Sequence, residues 1–188
     1  MGRWPTGSQE RLQDAAIELF SERGYEHTTV AHITEAAGLT ERTFYNHFAD
    51  KREVLFPDQK RFVAELAEAV RAAPADQSPL DSIAAALLLT TSWFDQRHDA
   101  ARRRRTILDT RAELRERELA KMAALEEALA GALRERGGAG ISAALTAAAA
   151  VGAYRLATAA WLADPQRRPL EHHLKVSFEG LRTTAMNW

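Results

Sequence analysis

Cysteine is absent from this chain. That excludes disulfides, thiol nucleophiles and thiolate metal sites, and leaves redox usage silent about the compartment. Aromatic residues make up only 7% of the sequence and prolines number six, so what order there is comes mainly from alanine, leucine and charged residues. A dominant charge is also lacking: the formal net charge is -1, which gives no global basic signature for nucleic acid. A local cluster of donors is hidden by such a sum, so DNA binding is not excluded. No run reads as a strand. The N-terminus MGRWPTGSQER has no apolar stretch of the kind a signal peptide needs, which makes the cytoplasm the default. The most apolar stretch, Ile141 to Ala163, is alanine-rich and interrupted by Thr146, Arg155 and Thr158. It reads as a packing helix and not as a membrane span.

What is present is helical spacing cut by punctuation. With 188 residues, 46% hydrophobic and 27% charged, the chain is long enough for one sizeable core or two small ones. Leu12, Ala15, Ala16, Leu19 and Phe20 share one helix face, and Gly24 ends that helix. Thr29 caps a second helix bearing Val30, Ile33, Ala36 and Ala37, which Gly38 stops after barely two turns. Thr40 caps a third, with Phe44 and Phe48 inward. Asp50 caps a fourth, with Glu53 completing the capping box, and this helix runs to about Arg71 with a kink or restart at Pro57–Asp58.

Beyond Pro74–Pro79, Ser78, Pro79 and Asp81 open a helix presenting Leu80, Ile83, Leu87, Thr90 and Phe94. Another begins near Asp99 and contains Arg102 to Arg105. A longer one, Glu113 to Glu135, carries Leu119, Met122, Leu125, Leu129 and Leu133. Ser142 opens the alanine-rich helix. The last has Leu170, Leu174, Phe178 and Leu181 on one face. The expectation is an all-α protein of about nine helices, divided into residues 1–50 and 51–188.

The densest information lies in GYEHTTVAHITEAAGLTERTFYNHFADKREVLF, from Gly24 to Phe56. Ala36, Ala37 and Gly38 allow two short helices to meet at a steep angle, as a helix-turn-helix requires. The second of the pair, Glu41 to Phe48, buries Phe44 and Phe48. Glu41, Arg42, Thr43, Asn46 and His47 remain on its outer face, with Tyr45 at the side. All of the outer set carry hydrogen-bonding side chains, as a helix in the major groove must.

Over TTVAHITEAAGLTERTFYNHFADKREVL, and in the preceding helix with its ERGY ending, the chain resembles the TetR family of bacterial transcriptional regulators. The resemblance covers about the first third. It implies DNA contacts at Thr40, Glu41, Arg42 and Thr43, and backbone contacts at Tyr45 and His47. It also implies a phosphate-binding lysine at Lys51, and a second helix whose start (Thr29, Val30, Ala31) abuts the other strand. Asn46 belongs to the same exposed face. Arg42 is the candidate for reading guanine. Tyr45 also fits as core filler beside the two phenylalanines. Up to Arg52 acids outnumber bases, which implies few phosphate contacts and a shallow salt dependence.

The resemblance further implies a homodimer through the last two helices and a palindromic DNA operator. It implies repression relieved by a small-molecule ligand of unknown identity. Pro57, in the helix that would carry the movement, is expected to act as its hinge. Trp93, Phe94, Met122, Tyr154 and Trp161 could line a ligand pocket, although aromatics and methionine at helical spacing are more often plain core. Arg102 to Arg105 read as a solvated face paired with Glu113, Glu116 and Glu118 in preference to a nucleic-acid patch, with an anionic ligand on one of them as a third reading. The six histidines include no pair at a spacing of three or four, so no metal and no cofactor is implied. No nucleophile sits beside a base, and an enzyme is not indicated. A DNA-binding dimer without ligand, an activator, and an all-helical enzyme or carrier are the alternatives.

Overall fold

Thr29 illustrates how local chemistry makes these helices. In the computed structural model, which describes residues 7–56 and 59–186, its hydroxyl accepts the His32 N–H and opens helix α2, Val30–Ala36. Thr40 does the same for α3, Glu41–His47, by accepting from Thr43. Before them runs α1, Ser8–Arg23, stopped at Gly24 where φ is +82°. The described residues form helices joined by turns and loops, as expected, and no strand occurs among them.

After α3 comes a difference. The helix expected from Asp50 is instead a turn followed by a single 3-10 turn, Glu53–Leu55, and α4 starts only at Gln59 and ends at Arg71. Asp50 therefore does not cap that helix; its carboxylate closes the turn instead, accepting the N–H groups of Arg52 and Glu53 at 2.8 and 3.2 Å. The Glu53 carboxylate, however, pairs with Arg117 at 2.7 Å. Pro57 and Asp58, the expected kink and hinge, lie outside the described residues.

The remaining helices are α5 (Pro79–Leu88), α6 (Thr91–Gln96), α7 (His98–Asp109), α8 (Ala112–Glu135), α9 (Gly140–Ala163) and α10 (Leu170–Met186). Ten α-helices therefore occur among the described residues, against about nine expected. The helix expected through Phe94 breaks at Leu89–Thr90. There Thr90 and Thr91 turn their hydroxyls back onto the Leu87 and Leu88 carbonyls, at 2.7 and 3.0 Å, in competition with the helical ladder. Ser78 caps α5 with Pro79 at its first turn, as read from the sequence. The α9 helix begins two residues before Ser142, with Ala139 at its cap.

Two compact units result. The first comprises residues 1–59 together with 99–118 and the second comprises 60–98 with 119–188, which is a different grouping from a cut after residue 50. The first unit has a single core in which Leu12, Phe20, Ile33, Phe44 and Leu55 pack with Ile107, Leu108 and Leu114. Burial of a side chain such as Phe44 is worth on the order of 1.5–3 kcal/mol.

In the second unit α9 and α10 pack along each other, and α5 packs against both. Its core includes Ile83, Leu87, Leu125, Leu129, Ala150, Ala157, Trp161 and Leu174. Two positions correct the expected stripe of α8. Leu119 is exposed, whereas Lys121 is buried. The buried line in this unit runs Lys121, Leu125, Leu129 and Leu133, a helical spacing that a lysine at one position disguises.

The link from α9 to α10 is tied by Asp164. Its carboxylate accepts from Arg168 at 2.7 Å, from His173 at 3.0 Å and from the Gln166 N–H at 2.9 Å. The Arg168 guanidinium, with the backbone donors, holds this carboxyl far below the usual carboxylate range. The α9 helix is not all core: Ile141, Leu145 and Leu156 are exposed, as is Val176 on α10. By length and composition α9 would also satisfy the requirement for a membrane span, a test that core helices of soluble proteins pass too.

Candidate nucleic-acid interface

Phe44 is wholly buried and Phe48 nearly so, and this fixes which face of α3 looks outward. Thr40, Glu41, Arg42, Tyr45, Asn46 and His47 are exposed, and Thr43 is half-buried. From α2, Thr29 and Ala31 are exposed and Val30 is half-buried. Every residue expected at the interface is thus accessible or partly so. The side chains of Glu41, Arg42 and Asn46 make no hydrogen bond or ion pair among the described residues, which leaves their donors and acceptors available.

The turn between α2 and α3 is built from backbone. Gly38 takes φ +61°, its N–H bonds the Glu35 carbonyl at 3.0 Å, and the Leu39 N–H bonds that of Thr34 at 2.8 Å. The Arg11 guanidinium donates to the Ala37 carbonyl at the same turn. Position α2 is further fixed by a reciprocal cap: the Thr29 N–H donates to His32 Nδ1 at 3.3 Å while the His32 N–H donates to Thr29 Oγ1 at 3.2 Å.

Tyr45 is 56% exposed, with its ring edge-on to Phe44 at 5.5 Å, so it is not core filler. His47 Nε2 lies 2.8 Å from Ser8 Oγ at the start of α1. Ser8 and the buried Thr28 escaped the sequence reading. Thr28 donates to the carbonyls of Leu19 and Gly24, closing the loop between α1 and α2. For Ser8 the signal lay in its place at the first turn of a helix; for Thr28, adjacency to the capping threonine concealed it.

Lys51 stands in a turn and not at a helix start, so no helix dipole adds to its charge. Its ammonium donates to the carbonyls of Tyr25 and Thr28 at 2.7 and 3.0 Å, leaving one N–H of three. Arg52 is bound to Asp50 at 2.6 Å. Of the described bases up to Arg52, Arg11, Lys51 and Arg52 are therefore engaged within the fold, while Arg23 and Arg42 are not.

In the second unit the expected pocket residues partly converge. Phe94 lies 4.9 Å from Trp93, 6.5 Å from Trp161 and 6.2 Å from Phe62, between ring centroids, and His98 stacks edge-on to Trp161 at 4.7 Å. Trp161 and Tyr154 are buried; Trp93, Phe94 and Met122 are half-buried. A groove of about 790 Å³ lies elsewhere, between α5 and α10, lined by Leu88, Leu174, Phe178 and Arg182, and none of the five expected residues lines it. Within the arginine run, Arg104 pairs with Glu118 and Arg105 with Asp109, whereas Arg102 and Arg103 are exposed without ion pairs among the described residues.

Comparison with known proteins places this geometry in context. Residues 12–56 match the family model described as bacterial regulatory proteins, tetR family, and residues 77–185 match the MftR C-terminal domain. The HTH-type transcriptional regulator TcmR of Streptomyces glaucescens is 38% identical over 79 residues, 42% of this chain and 35% of that protein. The putative mycofactocin biosynthesis transcriptional regulator MftR of Mycobacterium tuberculosis is 25% identical over 138 residues, 73% and 70% of the two chains. Among solved structures, FadR of Thermus thermophilus, a TetR family transcriptional repressor in complex with lauroyl-CoA, is 26% identical with a TM-score of 0.58, covering 92% of each chain. The match to TcmR thus spans about a third of that regulator's length.

Proposed function

The chain belongs to the TetR family of bacterial regulatory proteins, and on that premise we propose that it is a homodimeric repressor that binds a palindromic operator and leaves it when a small molecule binds. The observation that carries the DNA-binding part is the outer face of α3, where exposed Glu41, Arg42 and Asn46 stand unpaired above a buried Phe44. Arg42 reads guanine through its planar pair of donors. Thr29, Val30, Ala31, Thr40, Thr43, Tyr45 and His47 meet the DNA backbone or groove edge, and Lys51 offers its remaining N–H to a phosphate. Residues 1–50 are the reading head; residues 51–188 carry ligand binding and dimerisation, with 99–118 joining the head in one core.

Dimerisation is supported by the exposed apolar side chains of the last two helices, Ile141, Leu145, Leu156 and Val176, which are 79, 66, 70 and 59% accessible. A second copy that covered them would present two identical heads to successive major grooves, ~34–36 Å apart. The effector part is supported by the aromatic cluster around Phe94 and by the lauroyl-CoA bound in the Thermus relative. A ligand that favours one spacing of the heads shifts the population toward it. The cytoplasm is where such a regulator meets DNA. The close packing of Phe94 with Trp161 also fits a dimer with no ligand, the second reading.

Fluorescence anisotropy with the chain's own upstream intergenic DNA, at several salt concentrations, tests the proposal. A preference over random DNA of ~1,000-fold or more is expected. No preference would leave the helix-turn-helix as a structural likeness. Thermal shift against a panel that includes lauroyl-CoA separates the two readings, because a ligand of the folded state raises the melting temperature.

A further inference from the structure

Arg104, on α7, reaches three partners at once. Its Nε donates to the Leu55 carbonyl, its Nη2 lies 2.7 Å from Glu118 Oε2, and its guanidinium sits 5.1 Å from the centre of the Phe56 ring. Leu55 and Phe56 are buried at the end of the 3-10 turn that follows the outward-facing helix α3. Two more arginines tie the same unit: Arg117 to Glu53 at 2.7 Å and Arg111 to Glu26 at 3.0 Å.

These pairs are not equivalent. Arg111 and Glu26 are largely exposed, and an ion pair in water constrains little. Arg104 and Glu118 are only 24% and 23% accessible, so the pair is poorly screened. Removing the arginine would also strand the Leu55 carbonyl, which the guanidinium serves as donor. A planar fork supplies these bonds in fixed directions, and a single ammonium cannot.

Resting on the DNA-binding reading above, we propose that Arg104 is a positioning residue for operator recognition: it locks the turn after α3 to α7 and α8, and so holds the reading helix in its register over the core. It touches no DNA itself. Ile107, Leu108 and Leu114 already share one core with Phe44 and Leu55, so displacement of the turn is transmitted through close-packed side chains.

The test compares the full chain with its Arg104→Met variant on the operator that the wild-type protein selects. Both are measured at a temperature where circular dichroism shows them fully folded. The variant is expected to bind at least tenfold more weakly, with the slope of log affinity against log salt unchanged because no phosphate contact is lost. A merely structural arginine would lower the melting temperature and leave this affinity alone. Affinity within twofold of wild type, tighter binding, or a reduced salt slope would each overturn the proposal. Should Arg104→Met fail to fold, Arg104→Lys, with one ammonium in place of the fork, carries the same readout. If the wild-type protein itself shows no site preference, the DNA-binding reading has failed and this proposal with it. Failure of Arg104 alone appears as an unchanged variant beside a specific wild type.

Discussion

The Lys51 ammonium stands 4.1 Å from the centre of the Tyr25 ring while it donates to the Tyr25 carbonyl. Burial, helped by the nearby Glu113 and Asp50 carboxylates, pushes the Tyr25 phenol from 10.0 up to about 12. A folded-state value above the unfolded one means that the folded chain holds the proton longer. The stabilisation is therefore complete below pH 10 and is lost as pH rises toward 12. Alkaline unfolding followed by circular dichroism should show a loss of stability in that window, and Tyr25→Phe should flatten it. Identical alkaline profiles for the two proteins would refute the assignment.

How much of this was legible beforehand follows from the range of each interaction. The helix-turn-helix was readable because its signals are local: caps at Thr29 and Thr40, a left-handed glycine at Gly38, and phenylalanines four apart. The contribution of residues 99–118 to that unit was not, since Ile107, Leu108 and Leu114 meet Phe44 and Leu55 across long stretches of chain, and an apolar stripe does not name its partner. The engagement of Arg11 and Lys51 was hidden for the same reason: a basic residue looks the same in sequence whether it faces phosphate or a backbone carbonyl. The break at Thr90 was in principle visible as two adjacent threonines within an apolar helix, where hydroxyls compete with the ladder.

The reciprocal cap of Thr29 and His32 uses a histidine where glutamate or glutamine usually stands. To accept the Thr29 N–H, Nδ1 must be unprotonated, because an imidazolium donates from both nitrogens. His32→Gln should therefore preserve the box, whereas His32→Ala should cost about 0.5–1 kcal/mol, the lower range for a lost cap. Urea unfolding of the two variants measures the difference. A His32→Ala variant as stable as the glutamine variant would show that the side-chain half of the box contributes nothing.

Gly38 couples two constraints at the turn. Its φ of +61° belongs to the left-handed region, and a Cβ there would come within 3.0 Å of Arg11 Nη2, the donor to Ala37. Gly38→Ala should lose about 1–2 kcal/mol from the backbone alone, and more if the guanidinium must withdraw from the Ala37 carbonyl. An unshifted urea midpoint would sink this account of the turn.

Arg42 differs from its neighbours in having nothing to hold within the fold. Arg11, Lys51 and Arg52 are already committed to Ala37, to Tyr25 and Thr28, and to Asp50. Among the described bases up to Arg52, Arg23 and one N–H of Lys51 are thus what remains beside Arg42 to meet phosphates, and the salt dependence of DNA binding should be shallow, well short of about ten ion pairs per dimer. Recognition must then lean on base contacts, and Arg42 is the residue with the geometry to make one. Arg42→Ala should weaken binding to the preferred site by roughly 1–3 kcal/mol and relax the preference at one base pair, with little change on random DNA. An equal loss on every sequence, together with a shallower salt slope, would make Arg42 a phosphate contact and move specificity to Asn46 or Tyr45.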